Sequence, residues 1–179
     1  IVAGLGLGCR VSIQAGDPMP DSLEELVDTR AALQRAVDTV LPLAKKEIGV
    51  FDADLRNLEF DARGRADMIS AFLAGGRDRS VRMVLHELDH VTRYSPRLVG
   101  LLKRYSHCFS IRQTPESLRN LADAFVLADG VSGVIRFHAD HFRGKLLLEQ
   151  AVAGPGVPEA IGGVWGGARP GGSGKGGGL

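Results

Sequence analysis

Residues 84–90 read VLHELDH and contain the pattern His-Glu-x-x-His, with which zinc peptidases bind their metal. On a single α-helix, His86 and His90 would lie one turn apart on the same face and could both bind Zn²⁺. Glu87 would then take a proton from the zinc-bound water that attacks the substrate. The pattern therefore raises the hypothesis of a zinc-dependent hydrolase, either a peptidase or a deformylase.

A zinc site of this kind also needs a third protein ligand. None is evident downstream of the pattern, where Arg93 and Tyr94 follow. A deformylase needs an upstream cysteine ligand, and Cys9 stands in no matching context. Cys9 and Cys108 form no C-x-x-C pair, so neither a cysteine-based metal site nor a disulfide framework is predicted. We therefore expect no cofactor, and the zinc hydrolase is kept as the alternative.

A second group of polar residues stands on or beside predicted strands. Asp52 falls at the end of a buried strand, where α/β sheets place their ligand groups. If the strands share one sheet, the other side chains could converge on a pocket. An acidic turn and a structural network are the alternatives. The candidate ligand-binding residues are Asp52, His86, Asp129, Arg136 and His138.

The elements that would position these residues alternate between helical and strand-like patterns. A helix is predicted to begin at Asp21 or Ser22 and to continue to Leu41, where Pro42 bends or divides it. Residues 81–86 fit both a helical stripe and the alternation of a strand, and the βαβ rhythm of the chain favours the strand. Further strands are predicted in EIGVFDADL, HCFSIRQ, AFVLADG, SGVIRFH and KLLLE, and further helices at residues 66–73 and from Ser95-Pro96.

The stretch NLADAFVLADG, residues 120–130, resembles the H-x-K-x-x-x-x-D strand of the phospholipase D superfamily. Asp129 and Gly130 match its Asp-Gly ending, and residues 125–127 match its buried strand. Ala122 stands where the family has its nucleophilic His, and Ala124 stands where it has its Lys. The resemblance implies that the catalytic pair is missing, and no catalytic residue is assigned.

A wider pattern resembles a proteobacterial phospholipase D-like domain of unknown function, over about Val11 to Glu149. The matching segments include VDTRAAL, VFDADL, SPRLVGLLKRYSH and RFHADHFRG. This family often follows an acetyltransferase domain, and its C-terminal helix carries a Trp. The resemblance implies an α/β fold, a phospholipase D-like mixed sheet flanked by helices in a single domain. It also implies a strand before His86, so that HELDH would be a strand end and a loop.

Composition sets the domain limits and excludes several classes of partner. Lys and Arg total 22 against 21 for Asp and Glu, so the net charge of +1 predicts neither a nucleic acid nor a membrane partner. We expect a cytoplasmic protein with a lead-in at residues 1–20 and the domain at residues 21–153. The glycine-rich residues 154–179 are predicted to be largely disordered. The first residue, Ile1, suggests a fragment of a longer protein.

The sequence thus favours a catalytically degenerate phospholipase D-like domain that acts as a binding or assembly module rather than as an enzyme. A third hypothesis is a remnant pocket that binds a phosphorylated ligand through Arg136 and His138. The expected partner is a second copy of the chain, in a homodimer, or a fused or neighbouring acetyltransferase domain. The homodimer is expected to use a sheet edge near Asp129 and His138.

Overall fold

The structure is a computed structural model that describes residues 23–116, 119–120, 123–137 and 142–148, and the backbone of residues 169–170. The predicted lead-in at residues 1–20 and most of the predicted tail lie outside the described residues. The described elements are β1 (Leu23–Val27), α1 (Arg30–Val40), a 3₁₀ turn (Leu41–Leu43), β2 (Glu47–Asp52), α2 (Arg63–Ala74), β3 (Ser80–Leu85), α3 (Asp89–Tyr94), α4 (Pro96–Arg104), β4 (Phe109–Gln113), β5 (Ala124–Ala128), β6 (Ser132–Arg136), β7 (Gly144–Leu148) and β8 (Arg169–Pro170).

All eight described strands form one mixed sheet in the order β1-β7-β6-β5-β2-β3-β4-β8. Strands β2, β3 and β4 are parallel, because helices connect them, whereas β5, β6, β7 and β1 continue the sheet from β2 in antiparallel pairs. The α/β class and the mixed sheet with helices in a single domain are therefore confirmed. Strands β5 and β6 lie inside the sheet, so the expectation of a sheet edge near Asp129 is wrong, while His138 lies outside the described residues.

The first strand corrects the predicted N-terminal helix. Leucine and glutamate favour helices, but LEELV instead pairs with β7 over its whole length, from Leu23 opposite Leu148 to Val27 opposite Gly144. Helix α1 begins at Arg30, and Thr29 is its N-cap. The Thr29 side chain accepts a hydrogen bond from the N–H of Ala32 at 3.1 Å. The other predicted strands and helices are present, and α3 is an additional helix.

One face of the sheet carries the buried apolar cluster to which the helices contribute, and we call it the helix face. Side chains from all four α-helices belong to a single buried cluster that also includes strand residues. These strand residues all point to the helix face, since residues paired in register across a sheet point the same way. Its strand members are Val27, Ile48, Val50, Val81, Met83, Leu85, Phe109, Ile111, Val126, Ala128, Val134 and Leu146. The four helices therefore pack on the same side of the sheet.

The described helices are short. Helix α2 is the longest, with 12 residues, and spans about 18 Å, whereas the hydrocarbon core of a bilayer measures about 30 Å. In the part of the chain that the structure describes, no helix has the length and apolar character needed to cross a membrane. The helices instead contribute apolar side chains to the core, among them Val37 of α1 and Ile69 of α2.

Candidate functional site

A buried ion pair joins β2 to β6 at one end of the sheet. Nη2 of Arg136 donates to Oδ1 of Asp52 at 2.6 Å, and the two side chains are only 2% and 1% exposed. Strand β5 lies between them, so the two backbones are about 10 Å apart. The pair therefore spans two strand spacings on the helix face. Two of the five predicted candidates are brought together here.

Ala124 makes this contact possible. It pairs with Arg136 in the β5–β6 register, and continuing the β2–β5 register by one residue places it beside Asp52. Its methyl group is 3% exposed and leaves room for the guanidinium to reach across β5. A longer side chain at position 124 would occupy this space. Ala124 is also the position at which the resemblance places the catalytic Lys of the phospholipase D superfamily.

The second carboxylate oxygen of Asp52 fixes the loop that follows β2. Oδ2 accepts a hydrogen bond from the N–H of Leu55 at 2.9 Å, and Leu55 has a φ of 66°, which is unusual for a bulky residue. Burial raises the pKa of Asp52 above its ordinary value. The charge of Arg136 and the N–H groups of Leu55 and Ala53 oppose this rise without cancelling it. Both oxygens of Asp52 thus have structural partners.

The remaining nitrogens of Arg136 face a very small cavity. Within the described part of the chain, Nε and Nη1 are buried and find no hydrogen-bond acceptor. The adjacent cavity measures about 10 Å³ and is lined by apolar residues that include Leu33, Leu58 and Val134. This volume approaches that of a single water molecule and does not admit a phosphate group. The geometry therefore gives no support to a phosphorylated ligand at Arg136.

His86 lies on the other face of the sheet. It follows β3 by one residue, and its ring meets the ring of Phe51 edge-on, with 5.3 Å between the centroids. Its carbonyl oxygen accepts a hydrogen bond from Nε2 of Gln113 at 3.1 Å. Because side chains alternate along a strand, His86 points away from Asp52 and Arg136. The fifth candidate, His138, and Ala122 lie outside the described residues.

The His-Glu-x-x-His pattern does not lie on one helix. Strand β3 ends before His86, Glu87 and Leu88 form a connection, and His90 belongs to the first turn of α3. The two histidines are therefore not one helical turn apart. Among the described residues, no three His, Cys, Asp or Glu side chains are grouped so that they could hold a metal ion. The zinc hydrolase hypothesis finds no support in this geometry.

Asp129 lies at the opposite end of the sheet from Asp52. It opens the β5–β6 hairpin, where it and Gly130 have φ values of 55° and 69°, as a type I′ turn requires. Its carboxylate accepts hydrogen bonds from the N–H groups of Lys45, Lys46 and Glu47 at 2.7 to 2.8 Å. Since Glu47 and Asp52 are the two ends of β2, about 16 Å separates Asp129 from the ion pair. These three hydrogen bonds, which we call the Asp129 clasp, hold the β5–β6 turn against the start of β2 and have a structural role.

The pKa of Asp129 reflects this clasp. Burial alone would raise the pKa, but the hydrogen bonds from Glu47, Lys45 and Lys46 outweigh burial and hold it below the ordinary value. A carboxylate with a lowered pKa stabilises the fold above its unfolded pKa of about 3.9, and this stabilisation is lost as the pH falls through the folded pKa.

We predict that Asp129→Asn lowers the free energy of unfolding by about 1–3 kcal/mol at neutral pH, because the charge-assisted hydrogen bonds are lost. The difference from the unaltered protein should shrink as the pH falls from about 7 to about 2.5. Urea unfolding over this pH range measures it. Exposed Asp28 provides the control, and Asp28→Asn should change stability by less than about 0.5 kcal/mol. A penalty independent of pH would argue against the clasp.

For the ion pair, we predict that Arg136→Met lowers the free energy of unfolding by about 3–5 kcal/mol, because it leaves the Asp52 carboxylate buried without its cation. The double variant with Asp52→Asn should cost clearly less than the sum of the two single changes. A cycle of urea unfolding measurements gives this coupling energy. The exposed pair between Lys145 and Glu24 serves as the matched control and should show about 0.2–1 kcal/mol. Additive effects at Asp52 and Arg136 would rule out the coupling.

Solved structures with little sequence similarity share the fold. One is TrmBL2, an archaeal chromatin protein described as showing a novel mode of DNA binding, with a TM-score of 0.60 and 11% identity over 84% of this chain and 56% of that chain. Another is Nuc, a phospholipase D family member from Salmonella typhimurium, with a TM-score of 0.50 and 14% identity over 86% of this chain and 100% of that chain. At these identities, the likeness establishes the fold alone.

The chain thus spans little more than half of TrmBL2 but the full length of the Nuc chain. No curated protein matches the sequence. A family model matches residues 29–172, which reaches beyond the domain limit at residue 153 that composition predicts. The match begins at the N-cap of α1 and includes β8. Because it covers most of the sequence, the chain belongs to the family described as Domain of unknown function (DUF7931).

Proposed function

We propose that this chain is a phospholipase D-like domain without catalytic activity that acts as a binding or assembly module and needs no cofactor. The observation that carries the proposal is the buried ion pair across Ala124. The space in which the resemblance places a catalytic Lys is crossed by the side chain of Arg136 on its way to Asp52. An ion pair that is 1–2% exposed is closed to a substrate.

The chemistry of the superfamily supports the same conclusion. A phosphohistidine intermediate needs an imidazole nucleophile, and the sequence has Ala122 at the matching position. Arg136 is a poor replacement for the missing Lys, because it is buried and bonded to Asp52. The likeness to Nuc covers that entire chain, which supports a phospholipase D-like fold for this domain.

TrmBL2 is described as binding DNA, but we do not extend that activity to this chain. DNA affinity depends strongly on neutralised phosphates, and the net charge here is +1. We propose a protein or small-molecule partner in a reducing cytoplasm, where the thiol of Cys108 stays reduced. Burial raises the pKa of this thiol and so makes it less reactive.

For assembly, we propose a homodimer formed through β1. Among the described strands, β1 lies at one end of the sheet and pairs with β7 on one side. Its residue Leu26 is 71% exposed and offers apolar surface on this edge strand. A twofold contact between two copies of β1 would pair the strand edges and cover both leucines at once. A neighbouring acetyltransferase domain is the alternative occupant of this edge.

We predict that the purified chain hydrolyses bis(p-nitrophenyl) phosphate no faster than buffer alone, with or without added Zn²⁺, because it has no nucleophile for the reaction. Release of p-nitrophenolate measures the rate. His86→Ala and His90→Ala variants test the alternative directly. Zinc-dependent turnover that disappears in these two variants would overturn the proposal in favour of a hydrolase.

We predict a dimeric mass in size-exclusion chromatography with light scattering at micromolar concentration. Leu26→Lys should yield a monomer, because a lysine on an edge strand disfavours pairing with a second strand edge and removes the exposed apolar side chain. Leu43→Lys is the matched control, since Leu43 is 43% exposed but lies far from β1, and this variant should remain dimeric. A monomeric mass for the unaltered chain would exclude the homodimer and favour a different partner for β1.

A further inference from the structure

An open cleft lies beyond the end of the sheet that carries the ion pair. Its volume is about 430 Å³, within the range of pockets that bind small molecules. The loop after β2, the first residue of α1 and the residues of α3 form its walls. Buried Leu55 and Phe60 contribute apolar lining. The cleft is separate from the cavity beside Arg136 and far larger.

The charged side chains of the cleft differ in how closely they are bonded to neighbouring residues. Asp61 accepts the N–H of Leu98 at 3.0 Å and lies 3.5 Å from Nη1 of Arg97, so its carboxylate is occupied. Glu59 forms a salt bridge with Arg30. The guanidinium of Arg56 has a weaker link, since its Nε is 3.5 Å from a carboxylate oxygen of Asp54 and its side chain is 68% exposed. The group most available to a ligand is thus a cation.

Two aromatic side chains stand on the other wall. The rings of His90 and Tyr94 are one turn apart on α3, with centroids 5.3 Å apart and planes inclined by 36°. Tyr94 is 68% exposed, although tyrosine usually covers much of its ring. Exposed Tyr94 and half-buried His90, in the same cleft as the cation, form a suitable surface on which a flat ring can stack.

The loop that carries Arg56 is hydrogen-bonded to the buried ion pair through Leu55. Leu55 and Glu59 both have positive φ values, 66° and 47°, a conformation that residues other than glycine adopt at a cost in energy. The hydrogen bond from the Leu55 N–H to buried Asp52 holds the first of them in place. The buried ion pair thus supports the positive φ value of Leu55 at the rim of the cleft. We infer that this loop is ordered before a ligand binds, which lowers the entropy cost of binding.

We propose that this cleft binds a small molecule that combines a flat aromatic ring with an anionic group. The ring stacks on Tyr94 and His90, and the carboxylate or phosphate bonds to Arg56, whose planar guanidinium matches either anion. The inference rests on the proposed binding function and gives that function a class of ligand. A nucleoside monophosphate and an aromatic carboxylate share this chemistry, and experiment can separate them.

Isothermal titration calorimetry of the full chain with AMP and with indole-3-acetate tests the proposal, and adenosine and inorganic phosphate serve as half-ligands. We expect AMP or indole-3-acetate to bind and each half-ligand to bind at least about tenfold more weakly. Arg56→Gln and Tyr94→Leu should each weaken binding by about tenfold or more. Tyr94→Phe should preserve it, because the ring remains.

Arg93→Gln is the matched control, since Arg93 is exposed on the same helix but does not line the cleft. Its affinity should equal that of the unaltered chain. Absence of heat with both complete ligands would overturn the inference, and so would binding that survives Arg56→Gln and Tyr94→Leu. Neither result affects the proposed absence of catalysis, which only phosphodiester turnover would contradict.

Discussion

The buried ion pair between Asp52 and Arg136 is the constraint on which this end of the molecule depends. Two charges removed from water carry a large desolvation cost, which only close contact and further hydrogen bonds can offset. Asp52 provides both, because one oxygen binds Arg136 and the other binds the N–H of Leu55. The pair therefore fixes β6 relative to β2 and also fixes the loop after β2.

The same contact links the proposed absence of catalysis to the stability of the fold. A lysine in place of Ala124 would bring a second cation into a space that is already occupied by the guanidinium of Arg136, and Asp52 could not neutralise both. A lysine at position 124, where the resemblance to the phospholipase D superfamily places one, would thus require Arg136 to leave. The polar groups at this end of the sheet are thus arranged around the small side chain of Ala124, which Arg136 crosses to reach Asp52.

Much of the fold could be predicted from local pattern, whereas contacts between distant strands could not. The alternation of β3 and the glycine after α2 are local signals, and both elements are present. Strand β1 could not be predicted in this way, because its residues favour a helix. They form a strand only because they pair with β7, which lies far away in the sequence. The sequence analysis places Asp52 and Arg136 in one group of candidate residues, but no local pattern shows that the two side chains bond directly across β5. The cleft cannot be predicted for the same reason, since Arg56 and Tyr94 are far apart in sequence and line one cleft only in the folded chain.

The strand order has a consequence for how the chain folds. Strand β1 pairs with β7, and about 120 residues separate them, while β5, β6 and β7 fill the space between β1 and β2. A nascent chain that has emerged only as far as β4 holds three parallel strands with the β2 edge exposed, and β1 has no strand to join. Such an intermediate is prone to aggregate until the last third of the chain is made. The β2 edge thus stays unpaired until β5 has been synthesised and can join it.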